Sequence, residues 1–197
     1  MSDKELTHLL TQYQITPHED LAFLFDIAKA VEQRTDKWRD RTRQSLNLAL
    51  AMNQSADQLA DPQQLTAAVL AHDIAMGFQP LKVLNKASRL SAKERKTMQT
   101  HIKTAADLIH RMGGWQAAKQ MIQSHHERAD GKGYPQGRSE EEVCHGAKIL
   151  AIVDAFTAQG LKNVMHGVME IHRHTGTQFS EFWVHHFDRA IKSIYPR

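Results

Sequence analysis

The sequence predicts an all-α fold, and three observations carry that expectation. Apolar residues recur three and four positions apart along nearly the whole chain, and no stretch of strict alternation runs beyond a few residues. Turn-forming residues at 55–62, 77–80, 113–114 and 130–135 separate the periodic segments. The 197 residues, 41% hydrophobic and 24% charged, allow one domain with a sizeable core. No apolar run approaches the roughly 18 residues that would mark a membrane span, and residues 1–5 are polar and mixed in charge, so neither a span nor an export signal is expected. The single cysteine, Cys144, cannot form an internal disulfide or a thiolate cage, which makes the cytoplasm the expected location and Cys144 a small packing residue. The net charge is only +3, spread along the chain, so nucleic acid is a poor candidate partner.

The first clear helix, about 18–33, carries Leu21, Leu24, Phe25, Ala28 and Val31 on one face; a second, about 36–53, carries Leu46, Ala49, Leu50 and Met52. A third, about 63–74, puts Leu65, Ala68, Val69, His72 and Asp73 on one stripe. Gly77 and Pro80 make 77–90 a loop with a short helical turn. Ser91 and Glu94 fit a capping box that opens a helix to about Met112, with Met98, His101, Ile102 and Ala105 facing inward, and Gly113-Gly114 ends it. The next helix, about 115–128, brings Ala118, Met121, Ile122, His125 and His126 before a turn that cannot stay helical. A long helix over about 140–160 follows, with Ala147, Leu150, Ala151 and Asp154 on one side, and residues 161–195 read as two helices divided at 174–176. Phe179, Phe182, Trp183 and Phe187 are expected in the core.

Histidine is where the chemistry is to be sought, with 13 of 197 residues. Four successive helices offer His or Asp from the stripe that packs against the others: His72 and Asp73, His101, His125 and His126, and Asp154. Burying so many ionisable groups without partners would cost several kcal/mol each, and shared cations offset that cost. Imidazoles and carboxylates without sulfur suit manganese, iron, zinc or nickel, and Asp73 beside His72 is placed to bridge two ions for attack on a phosphate ester. The remaining histidines, His8, His18, His110, His145, His166, His172, His174, His185 and His186, lie on polar faces or near helix ends and are expected at the surface.

Four stretches together resemble an HD-GYP domain: Ala71-His72-Asp73-Ile74, His101 with its downstream Ala105-Ala106-Asp107, the run from His125 to Pro135, and Ile149 to Phe156. The resemblance covers roughly residues 36–187, leaving 1–35 as an N-terminal helical extension and 36–197 as a single metal-binding unit. His101 follows His72 by 29 residues and Asp154 follows His125 by 29, both as the family has it. The resemblance implies an HD-superfamily helical bundle of about seven to nine helices. It implies two divalent metal ions, iron or manganese ahead of zinc or nickel, and hydrolysis of cyclic di-GMP or a related nucleotide phosphodiester by a metal-activated water. His72, Asp73, His101, His125, His126 and Asp154 would be ligands, with Asp73 bridging and catalytic. Lys86, beside Asn85, would meet a substrate phosphate, while Asp130, Gly131, Gly133, Tyr134 and Pro135 would form a loop beside the site, where a partner signalling protein could dock. A homodimer is a further candidate assembly.

The chain also departs from the family. A Glu and a His four apart are expected on the helix before His72-Asp73, but residues 32–54 contain no histidine. Asp36 and Asp40 stand in one register as substitute ligands, whereas a shift of one puts Arg41 there, a positive charge in place of a ligand. Met76 occupies the position of a family lysine, and after Asp154 the chain reads Thr157-Ala158-Gln159-Gly160 instead of the family's Arg-Pro-Tyr-Arg stretch. Two readings follow: a metal-dependent phosphodiesterase, or a degenerate module that binds a cyclic dinucleotide or a partner protein without turnover.

Overall fold

Ten α-helices and no β-strand form among the residues that the computed structural model describes, namely 3–35, 38–86, 88–158 and 164–196. They are α1 (Asp3–Gln12), α2 (Glu19–Glu32), α3 (Arg41–Ser55), α4 (Pro62–Ala71), α5 (Leu81–Leu84), α6 (Ala92–Met112), α7 (Gln116–Ser124), α8 (His145–Ala158), α9 (Val164–Arg173) and α10 (Glu181–Ile194). Short 3-10 turns occupy Ile74–Phe78 and Glu140–Glu142. No helix among the described residues is long and apolar enough to cross a membrane.

Local chemistry sets most of the boundaries. At α6 the Ser91 hydroxyl accepts from the Glu94 amide at 3.3 Å and the Glu94 carboxylate from the Ser91 amide at 2.7 Å, and Gly113, at φ +76°, closes the other end. Asp61 caps α4 through the Gln64 amide, with Pro62 in the first turn. The helix expected from about 140 begins only at His145, because Ser139 and Glu142 form their own capping box around a 3-10 turn. The helix expected to run to residue 74 ends at Ala71, with His72 as its C-cap. Helix α1 lies within the expected N-terminal helical extension, with Leu6, Leu9 and Leu10 at helical spacing on its buried face.

The α3 helix packs against α4, α8 and α10, and α7 against α4, α6 and α8. Leu46, Leu50, Leu65, Ile109, Ile122, Leu150, Trp183 and Phe187 are fully buried where these helices meet, each contributing about 1.5–3 kcal/mol. Leu6 and Leu10 of α1 and Leu21, Leu24 and Phe25 of α2 join the same core. The buried Asn53 side chain holds the α3–α4 connection, donating to the Ala60 carbonyl at 2.8 Å and accepting from the Ala60 amide at 3.0 Å.

Three expectations about single residues are corrected. Cys144 is exposed, because it precedes α8 instead of facing into it. Phe182 is half-exposed while Phe179, Trp183 and Phe187 are buried, as one face of α10 requires. His186 is buried and shares a hydrogen bond of 2.7 Å with Ser55.

Candidate metal centre

Three histidines are held in one tautomer by the same local device. His72, His101 and His125 each donate from Nδ1 to the carbonyl three residues earlier, Val69 at 2.8 Å, Met98 at 2.7 Å and Ile122 at 2.7 Å. His72 and His125 are the C-caps of α4 and α7, where the last carbonyls of a helix lack intrahelical partners. With Nδ1 committed, each Nε2 turns inward, and none of the three accepts or donates a hydrogen bond among the described residues although all are buried. A carbonyl that fixes one ring nitrogen and leaves the other free is how metal-binding imidazoles are commonly oriented.

The Nε2-bearing side chains converge. His101, His125 and His126 bring ligand atoms within 4.8 Å of one another, and so do His72, Asp73 and Asp154. The ring centroids of His72, in one triad, and His125, in the other, lie 5.6 Å apart, so the two triads adjoin. All six residues expected as ligands are therefore brought together, from α6, α8 and the turns that end α4 and α7. The first triad fits a divalent ion on the chemistry of its donors: three imidazoles, two of them buried with an unpartnered Nε2.

The second triad is already neutralised. Arg41, in the first turn of α3, reaches Asp73 Oδ2 with Nη1 at 2.7 Å and donates from Nη2 to Asp154 Oδ1. Its Nε donates to Thr157 Oγ1 at 3.3 Å, and Trp38 lies against its face at 5.8 Å. Asp40 is not at the centre. It adopts a left-handed conformation, φ +62°, as the residue before α3, and its carboxylate turns to Arg43 at 2.9 Å. The N-terminus of α3 is capped instead by the buried Glu32 carboxylate, which accepts from the Asp40 and Thr42 amides. Of the two registers the sequence left open, the one with Arg41 inward is the one that forms. Asp36 lies outside the described residues.

Charge distribution follows from this geometry. Burial opposes the charge on His72, but Asp73 and Asp154, 3.4 and 3.9 Å from its Nε2, push its pKa up to about 10. Burial also works against ionised Asp73, yet His72 and Arg41 hold its carboxyl well below the usual range, and Asp154 is held low by His72 and Arg41 in the same way. His125 is pushed well below its ordinary value by burial and by neighbouring His126 and His72, and His126 is lowered chiefly by burial.

The loop after His126 is rigidly tied to the centre. Tyr134 stacks on His126 with centroids 4.8 Å apart, and its amide donates to the His126 carbonyl at 3.1 Å. Asp130 pairs with Arg128 at 2.7 Å and accepts from the Lys132 amide. Gly131 adopts φ +69°, and a Cβ on Gly133 would come within 2.5 Å of the Glu127 Cα and the Arg128 amide nitrogen. The peptide before Pro135 is cis. Glu127, which the sequence did not single out, is buried and accepts from the Gln136 and Arg138 amides at 2.8 and 3.1 Å, closing the loop at its base. Lys86 instead pairs with Glu94 at 2.6 Å, at the start of α6, and Asn85 accepts from Thr35 at 2.8 Å. Met76 stands in the 3-10 turn after Asp73, where its carbonyl accepts from Arg34 at 3.3 Å.

Comparison with known proteins places these features in context. The profile of the HD domain matches residues 24–173. The 3'3'-cGAMP-specific phosphodiesterase 2 of Vibrio cholerae is 33% identical over 93 residues, 46% of this chain and 18% of that protein. The cyclic di-GMP phosphodiesterase of Thermotoga maritima is 25% identical over 200 residues, 92% of this chain and 54% of that protein. Among solved structures, a cyclic GMP-AMP specific phosphodiesterase of V. cholerae superposes with a TM-score of 0.67 at 16% identity, over 90% of this chain and 49% of that one. An HDGYP protein of Bdellovibrio bacteriovorus gives 0.64 at 19% identity, over 81% of this chain and 53% of that one. The chain thus spans about half or less of the length of these relatives.

Proposed function

Because the chain belongs to the HD-domain family, we propose that it is a metal-dependent phosphodiesterase domain whose substrate is a cyclic dinucleotide, cyclic di-GMP or a related nucleotide phosphodiester. One observation carries the reading: buried imidazoles with their Nδ1 hydrogens committed to carbonyls aim unpartnered Nε2 atoms at one point beside two carboxylates. Phosphodiesterases acting on cyclic dinucleotides are also among the relatives.

His101, His125 and His126 would hold the ion, iron or manganese as the HD-GYP resemblance implies, with zinc or nickel also suited to imidazole donors. A divalent ion bound there supplies a Lewis acid and lowers the pKa of a coordinated water. The rest falls to the chain's own groups. Asp73 and Asp154 favour a proton at His72 Nε2, which would be available to a leaving oxygen. Arg41 fixes both carboxylates and adds a positive charge where a phosphodiester brings a negative one. Tyr134 keeps the His126 ring from rotating, and the loop 130–135 is the face offered to a signalling protein.

Incubation of the manganese-loaded chain with cyclic di-GMP and, separately, with 3'3'-cGAMP tests the reading by chromatography. A linear dinucleotide formed with one of them, and abolished by His125→Ala, is expected. A second reading has its own observation: Met76 stands at the family's lysine position, and Arg41 is already committed to carboxylates. It describes a module that binds a cyclic dinucleotide or a partner protein without turnover. Calorimetric binding of intact cyclic di-GMP with no product would favour it.

A further inference from the structure

Arg41 is an internal cation where the rest of the centre is arranged for metal. Its two terminal nitrogens lie on the two carboxylates of the second triad, one apiece, and its third nitrogen on Thr157. Thr157 is held in turn, donating to the Val153 carbonyl at 2.8 Å and lying 3.2 Å from Ser45. The guanidinium side chain is only 11% exposed, so water has limited access to these contacts. Glu32, which caps the first turn of α3, adds a further negative charge toward it. The first triad differs: among the described residues the Nε2 atoms of His101 and His125 are buried and unpartnered.

We infer that the centre takes one divalent ion, at His101, His125 and His126, and that the Arg41 guanidinium permanently fills the second cation position between Asp73 and Asp154. A guanidinium delivers its single charge through a planar fork that matches two carboxylate oxygens, and unlike a metal ion it cannot be lost to dilution or chelation. A second divalent ion on the same oxygens would face a fixed positive charge at contact distance and would have to break both ion pairs to bind. It would also lack the imidazole that residues 32–54 do not supply. Asp73 is therefore committed to Arg41 and His72 and does not bridge two metals. This inference deepens the phosphodiesterase reading by fixing its metal count, and it rests on that reading's metal centre but not on turnover.

The test is metal content. Full-length wild type, Arg41→His and Asp154→Asn are loaded with excess manganese(II), desalted and analysed for ions per chain by mass spectrometry, with circular dichroism as the check on folding. The expected result is one ion in wild type, about two in Arg41→His, and one still in Asp154→Asn, since Asp154 serves the guanidinium. Two ions in wild type, none at all, or loss of the ion in Asp154→Asn would each overturn the inference, as would a folded Arg41→His that still holds one. If Arg41→His does not fold, wild type and Asp154→Asn decide the matter. One ion with no hydrolysis of either dinucleotide would leave the inference standing and remove the phosphodiesterase reading; two ions with hydrolysis would do the reverse.

Discussion

The Arg41 guanidinium lies 2.7 Å from Asp73 Oδ2, joining the first turn of α3 to the turn that follows α4. A buried charge of this kind is held only by its partners, and this one has two, with Asp154 on the other nitrogen. Removing it leaves two carboxylates facing each other with little water to screen them.

Arg41→Ala should therefore destabilise the chelator-treated protein by about 3–5 kcal/mol, the range for breaking a buried ion pair from one side. Urea unfolding with and without manganese measures it. Added metal should recover part of the loss in Arg41→Ala, because a cation then has access to the two carboxylates, and a loss below about 1 kcal/mol would mean that the pairs are solvated in solution.

The pH dependence of the chelator-treated protein has two limbs of opposite origin. His125 and His126 have pKa values below the unfolded 6.5, so the folded state resists protonation, and stability falls as pH drops below about 6.5. His72 is raised to about 10, so its contribution is complete below 6.5 and is lost as pH climbs toward 10. Stability should peak near neutrality and decline on both sides, with the alkaline limb absent from His72→Asn. A flat profile between pH 7 and 10 in the parent would contradict the charge pattern around His72.

Gly133 has no room for a side chain, since the atoms a Cβ would strike are backbone atoms of Glu127 and Arg128 that cannot rotate away. Gly133→Ala is expected to cost about 1–3 kcal/mol, the usual range for overpacking, and to weaken manganese binding by displacing His126, whose carbonyl lies 2.6 Å from that Cβ. Thermal melts and metal titration should move together. A stable variant with unchanged affinity would show that the loop shifts freely.

Tyr134 stacks on His126, and its effect on the centre is expected to come through that ring contact. Tyr134→Phe should bind manganese as the parent does, while Tyr134→Ala should lose about 10-fold or more in affinity, as loss of an orienting neighbour does. An equal loss in both variants would assign the role to the hydroxyl.

The helices and the clustering of the six candidate residues were legible because each depends on its own neighbourhood or on the family resemblance. Helical spacing put His101 on an apolar stripe, the Ser91 and Glu94 box opened α6, and the family resemblance, with 29 residues from His72 to His101 and 29 from His125 to Asp154, pointed to one centre. The turn from His125 to Pro135 was visible as turn chemistry, though the buried role of Glu127 was not, because a glutamate in a loop looks the same whether or not amides nine and eleven residues away fold back onto it.

What the sequence by itself determined is the all-α architecture and the set of groups able to bind metal, since periodicity, caps and spacing are local properties. Which residue of α3 faces the centre was decided by tertiary structure alone. A shift of one position turns a helix by about 100°, and no local signal distinguishes Asp40 from Arg41. The choice was made by Glu32 of α2 capping α3 through the Asp40 and Thr42 amides, by Asp40 turning out to Arg43, and by Asp73 and Asp154 waiting on two other segments for a buried cation.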